Sequence, residues 1–307
     1  MTVGLIIFAA TLAAGAYMAW SIGANDVANA MGTSVGSGAL TLTMAIVLAA
    51  IMEFSGAVLV GSHVTDTIAK GIVETTLFAA DGPLGADGPV LLGLAMLCAL
   101  LASAAWLHLA THFGLPVSTT HSIVGAVIGV GLVSFGWRGV AWGTVGRIVA
   151  SWVVSPLLGG LLAFLTFFYI RRHILRAADP IAATRRVAPH MVTVVITIMT
   201  LSFIYKVLKN RFDVPPVLFA VAVSVAFGLL VGLLAGVIVR RRAPTAGASP
   251  YVYVERVFAL LQISTACFVA FAHGANDVAN AVGPVAAVVG LSRNGFTAIS
   301  ATVDVPY

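Results

Sequence analysis

Apolar residues run along this chain in blocks of roughly twenty, at 2–20, 40–60, 89–109, 148–170, 191–208, 217–239 and 258–272, and the short stretches between them hold most of the charge. A hydrocarbon core of roughly 30 Å is crossed by about 20 helical residues. Each block therefore predicts a membrane-spanning helix. The period-two alternation of a barrel strand is absent from them, and backbone groups in lipid must be satisfied within their own segment. A weaker apolar stretch at 122–135 follows the sequence Pro116-Val-Ser-Thr-Thr-His121. The class predicted is an all-α polytopic membrane protein, with the lipid bilayer as its surroundings.

Composition agrees with this. Hydrophobic residues make up 60% of the chain and charged residues 9%, with a mean hydropathy of +1.05; a water-soluble domain carries about a quarter charged residues. The formal charge of +5 does not indicate nucleic acid, because no soluble basic domain holds it. The excess sits in two loops, one with Arg171, Arg172, Arg176, Arg185 and Arg186, the other with Arg240, Arg241, Arg242 and Arg256. The positive-inside bias makes both cytoplasmic. The loop at 70–88 carries Glu74, Asp81 and Asp87 against Lys70, which suits the outside. Cys98 and Cys267 both lie in apolar blocks, so no disulfide framework is expected. The first block has no basic residues before it and reads as a mature helix rather than a signal peptide. Abundant Ala and Gly, with Arg outnumbering Lys, point to the plasma membrane of a prokaryote, a bacterial inner membrane crossed many times.

Against this background one polar pattern stands out. Gly-Ala-Asn-Asp-Val-Ala-Asn-Ala occurs at 23–30 and again at 274–281, each copy flanked by apolar residues. An Asp at membrane depth costs roughly 2.5 to 3.5 kcal/mol on insertion scales, and the chain carries that cost in both copies. On a helix, with Asn25 at zero, Asp26 falls at about 100° and Asn29 at about 40°, so the polar groups share a face. Ala24, Val27 and Ala28 cover the rest and are small enough for close helix packing. Asn276, Asp277 and Asn280 repeat the geometry, with His273 just before them. One carboxylate with two amide oxygens suits a hard monovalent cation, and the Asp alone can instead carry a proton. Gly23, Gly32, Gly274 and Gly283, with Pro284, predict interrupted helices whose freed carbonyls add ligands.

Counting crossings relates the two copies. With 171–186 inside and 70–88 outside, an odd number of crossings lies between them, so the stretch at 116–135 must cross as well as 89–109 and 148–170. The first octapeptide then falls at the inner end of its helix and the second at the outer end of its own. The copies face opposite ways, an inverted-topology repeat such as secondary transporters use.

The segment before 122–135 is a hairpin-like element at 115–135. Pro116 marks a helix start, with Ser118, Thr119 and Thr120 at or near the N-cap and first turn, where free N–H groups and the dipole favour an anion. An uncharged hydroxyl cradle of this kind suits phosphate or sulfate that must later be released. His121 is open between anion binding, proton relay and a plain capping position. Glu53, at mid-span, and His63 and Asp66, near that span's end, are further proton or structural candidates, as is His273. His108 and His112 make half a metal site with no third ligand in sight. No metal is expected beyond a transported cation, and no cofactor. No G-x-x-x-x-G-K-[ST] loop is present, so ATP coupling within the chain is unsupported, and no nucleophile, base and oxyanion set marks an enzyme.

Two octapeptides with Pro116-Val-Ser-Thr-Thr-His121 between them resemble the inorganic phosphate transporter family, the Pit-type or sodium-dependent phosphate transporters. The resemblance runs the length of the chain. It implies an all-helical secondary transporter that symports phosphate with sodium or protons, as a homodimer. It places Asp26, Asn29, Asp277 and Asn280 on the coupling cation, and Ser118, Thr119 and Thr120 on phosphate, where Asn25 and Asn276 are expected to join them. By this reading 1–170 is the first transporter repeat, 171–250 the central helices and basic loops, and 251–307 the start of an incomplete second repeat. The family's second hairpin should lie beyond Tyr307, so a C-terminally truncated sequence is expected. A sulfate permease of the same fold and a passive ion channel are the competing readings.

Overall fold

The computed structural model describes residues 2–61, 71–207 and 216–299; Asp66 and His63 lie outside the described residues. The helices are α1 (Thr2–Gly36), α2 (Leu42–Val60), α3 (Gly88–His112), α4 (Thr119–Phe135), α5 (Trp142–Ile170), α6 (Pro180–Val207), α7 (Val217–Arg241) and α8 (Pro250–Arg293). Short 3-10 turns at Thr75–Phe78, Gly85–Asp87 and Gly136–Gly139 and a π turn at Arg171–Leu175 join them. Among the described residues, 8 helices are long and apolar enough to cross a membrane, so the all-helical class is what the chain adopts. The extra one is α4, the stretch whose apolar run was weakest.

The chain forms two compact units. One contains 1–32, 48–151 and 270–307, the other 33–47 and 152–269. These units cut across the segments 1–170, 171–250 and 251–307, because α1, α2, α5 and α8 each contribute residues to both.

In the first unit α1 and the end of α8 run antiparallel. Gly4 packs under the Phe296 ring, Gly93 of α3 packs against both Phe296 and Ile7, and Gly15 faces Val285. The α3–α4 hairpin is made by local chemistry. Gly114, at φ +67°, ends α3 in a Schellman motif, with Leu115 N–H donating to Ala110 O at 2.9 Å and Gly114 N–H to Thr111 O at 3.0 Å. Pro116 then blocks continuation. Ser118, in extended conformation, caps α4 by accepting the His121 N–H at 3.2 Å. After α4 the chain returns to where α3 began: Phe135 meets Phe78 edge-on at 4.8 Å, and Ala141 N–H donates to Ile72 O at 2.8 Å. The helix of 17 residues spans about 25 Å and runs back beside α3, where Ser103 Oγ donates to Ser122 O at 3.2 Å.

The predicted interruptions at the octapeptides do not occur. Both copies lie inside continuous helices, α1 and α8, and Pro284 is carried within α8. The reason is that glycine does another job in the second copy. Gly274 lets α8 lie directly on the backbone of α2 at Glu53, and Gly56 of α2 lies on the carbonyl of Phe271 in the same way. Small residues in membrane helices permit this close approach, and an intact helix keeps its own hydrogen bonds.

In the second unit α7 packs antiparallel on α6 through Gly228, Gly232 and Gly236, which face Thr197, Thr193 and Pro189. Both basic loops sit at one end of this unit. Arg185 Nη2 donates to Arg242 O at 3.2 Å and its Nε to the Tyr253 hydroxyl at 3.3 Å, while Tyr251 OH donates to Leu175 O at 3.1 Å. A common side for the two loops is what the positive-inside reading needs.

Candidate functional site

The hairpin turn at 113–118 is docked on α1 by one side chain. Asn25, buried at 4% exposure, donates through Nδ2 to Thr111 Oγ1 at 3.0 Å and to Leu115 O at 3.3 Å, and its Oδ1 accepts the Val117 N–H at 3.2 Å. Both ends of its amide are thus engaged in positioning the turn. Neither Thr111 nor the Leu115 carbonyl was marked by sequence, because nothing in a helix-end threonine announces a partner on another helix.

With the turn fixed, the first residues of α4 reach both octapeptides. Thr119, buried at 3% exposure, donates to Asp26 Oδ2 at 3.3 Å, and Asp26 is itself only 5% exposed. Thr120 donates to Asp277 Oδ1 at 3.1 Å. Asn280, at 1% exposure, bridges the two: its Nδ2 reaches Thr119 Oγ1 at 3.3 Å, Thr120 Oγ1 at 3.1 Å and Asp277 Oδ1 at 3.3 Å. The octapeptides therefore meet in one cluster, and the expectation that they sit at opposite helix ends is corrected. The crossing count ordered the helices; it carried no information on depth, which the lateral packing of α4 against both copies sets.

Other candidates fall around this cluster. Asn29 is exposed and lies against the Asp26 carboxylate. Asn276 is half-buried and donates to Ala272 O within α8 at 2.9 Å. Ser118 and His121 are exposed, Ser118 serving as the cap described above. Glu53 and His273 are brought in from a distance: with Asp26, Asp277, Gly23 and Gly274 they line a cavity of ≈340 Å³. Glu53 Oε1 and His273 Nδ1 are buried there without hydrogen-bond partners among the described residues. His108 does not turn toward this cavity; its Nδ1 lies 3.0 Å from the Tyr17 hydroxyl, and its ring packs on Trp20 at 5.4 Å.

The identical octapeptides have different surroundings. Ala275 and Ala279 are fully buried, whereas Ala24 and Ala28 are exposed. A methyl group added at Gly23 would meet nothing within 4 Å, while one at Gly274 would enter the α2 backbone. Chemically, the site offers two carboxylates, the Asn280 amide and two hydroxyls joined by hydrogen bonds, and the two carboxylates also line the cavity.

Comparison with known proteins gives this arrangement a family. The model of the phosphate transporter family matches residues 22–307. A protein of Chlamydia pneumoniae that bears a phosphate permease name is 46% identical over 93% of this chain and 69% of its own length. The chloroplastic inorganic phosphate transporter 2-1 of Arabidopsis thaliana is 39% identical over 97% of this chain and 53% of its own length. Among solved structures, one titled the sodium-dependent phosphate transporter superposes with a TM-score of 0.84 at 42% identity, covering 100% of this chain and 71% of that one. With 8 helices able to span a bilayer among the described residues and this match along nearly its whole length, the chain is a multi-pass membrane protein and belongs to the phosphate transporter family.

Proposed function

We propose that the chain carries inorganic phosphate across the plasma membrane in symport with a cation, sodium or proton. In this reading Asp26, Asn29, Asp277 and Asn280 hold the cation, and Thr119 and Thr120, with Ser118, receive the phosphate. Asn25 positions the turn from which those hydroxyls project. The observation that carries the reading is that Thr119 and Thr120 donate to Asp26 and Asp277, so the anion's donors touch the cation's acceptors.

That contact supplies a coupling mechanism. A phosphate drawn to the hydroxyls approaches two carboxylates of its own sign. One such pair at ~4 Å repels by ~4 kcal/mol at an effective dielectric of 20, roughly a thousandfold in affinity. A cation held between the carboxylates removes the repulsion and turns the hydroxyls toward the phosphate; without it, phosphate is refused. The antiparallel packing of α1 and α8 supports an inverted-repeat arrangement in which the site alternates its access. The sodium-dependent name of the structural neighbour favours sodium.

Uptake of labelled phosphate into proteoliposomes under a sodium gradient, a proton gradient or neither tests this directly. Uphill accumulation under one of the two cation gradients is expected. Accumulation only down the phosphate gradient, unaffected by either cation, would mean a passive channel. Preferential inhibition by sulfate would point to a sulfate permease.

A further inference from the structure

The second unit holds a cavity that the transport reading does not use. It measures ≈420 Å³ and lies where α5 gives way to α6, lined by Tyr169, His173, Asp179, Arg186 and His190 with intervening alanines. We propose that this cavity binds the headgroup of an acidic phospholipid from the leaflet that this end of the protein meets.

Charge is the first argument. Arg186 and the two imidazoles face the cavity, and Arg171, Arg172 and Arg176 are exposed on the adjoining turn. The one carboxylate in the lining, Asp179, is turned to another use: its Oδ1 accepts the N–H groups of Ile181 and Ala182, each at 3.0 Å, and caps α6. An acid at a helix N-terminus is compensated by the dipole, so it opposes an incoming phosphodiester less than a free carboxylate would.

The second argument is shape. α5 ends in a π turn at Arg171–Leu175, a departure that widens the helix and recurs at functional sites. There His173 Nδ1 lies 3.0 Å from the Tyr169 carbonyl. A carbonyl only accepts, so Nδ1–H donates to the backbone, and this bond fixes the orientation of the His173 ring at the cavity wall. Basic pockets at the ends of membrane helices are suited to acidic headgroups.

The third argument selects a lipid over a soluble anion. The α5 surface leading up to the cavity is apolar and exposed, with Leu161 at 53%, Phe164 at 63%, Leu165 at 50% and Phe168 at 50%. Phe164 and Phe168 stack at 6.2 Å, one turn before Tyr169. An amphiphile with its phosphate at Arg186 would lay its acyl chains along this track, which a soluble polyanion has no use for.

The test is a lipid titration of the purified protein in neutral detergent, with phosphatidylglycerol or phosphatidylcholine in mixed micelles, read by native mass spectrometry and thermal unfolding. Phosphatidylglycerol is expected to be retained and to stabilise the protein, and phosphatidylcholine is not. Arg186→Gln with His190→Gln should weaken retention by about fivefold or more, since each basic residue near an anionic headgroup matters on that scale. Arg240→Gln with Arg241→Gln, on the same end but outside the cavity, should change it by less than about twofold. Equal loss from both pairs would reveal diffuse attraction and overturn the pocket; equal stabilisation by glycerol 1-phosphate would overturn the lipid. If the first double variant fails to fold, selectivity of the unmodified protein decides, and no preference for phosphatidylglycerol sinks the proposal.

Discussion

Gly274→Ala and Gly23→Ala are the same substitution at the same position of the same octapeptide, and the structure assigns them opposite outcomes. At Gly274 the added methyl would lie 2.6 Å from both the Cα and the carbonyl carbon of Glu53, with the carbonyl oxygen closer still, where ordinary contact begins at 3.4 Å. These are backbone atoms of a helix, so no side chain can swing aside. α8 must move off α2 by nearly an ångström or more. Overpacking of this kind costs about 1–3 kcal/mol and sometimes more, and the displacement opens the cavity between Asp26, Glu53 and Asp277. At Gly23 the methyl meets nothing within 4 Å, and replacing a mid-helix glycine by alanine favours the helix by up to ~1 kcal/mol. Thermal unfolding of both variants, purified side by side in one detergent, measures the contrast. Gly274→Ala should unfold several degrees lower than the parent and Gly23→Ala should match or exceed it. Equal destabilisation by the two would refute the asymmetric packing and the reasoning built on it.

Asp26→Asn removes a carboxylate from the cluster and should abolish the cation dependence of phosphate uptake; stimulation by sodium that persists in this variant would remove Asp26 from its proposed role. Thr119→Val leaves Asp26 Oδ2 and Asn280 Nδ2 each short of a partner, at a cost of about 1–3 kcal/mol, and should suppress uptake, while Thr119→Ser, which restores the hydroxyl, should recover most of it. If Thr119→Ser stays as inactive as Thr119→Val, the hydroxyl is not what matters. Asn25→Ala frees the turn at 113–118 from α1 and should raise the Michaelis constant for phosphate together with the proteolytic susceptibility of that turn. Unchanged values of both would show that the Asn25 amide does not hold it.

Much of this protein was legible in its sequence because a bilayer imposes a simple rule. Apolar blocks of spanning length predicted the helices, and an acid repeated at membrane depth marked the site before any contact was visible. The turn before α4 was also written locally: Gly114, Pro116 and Ser118 end one helix and cap the next through bonds to near neighbours, so the predicted helix start was found where the residues placed it. Glycine was where the reading failed. The same residue serves as a helix breaker or as a close-packing surface, and which applies depends on what lies across from it.

What the sequence determined by itself was therefore the class of the protein, the helices and the identity of the polar groups, all set by interactions within a segment or between a segment and lipid. Only the tertiary structure decided that Asp26 and Asp277 converge on Thr119 and Thr120, that Glu53 and His273 share their cavity, and that one octapeptide is packed on its small face while its twin is open. These depend on how helices distant in the chain lie side by side, and a pattern repeated identically in sequence carries no record of its neighbours.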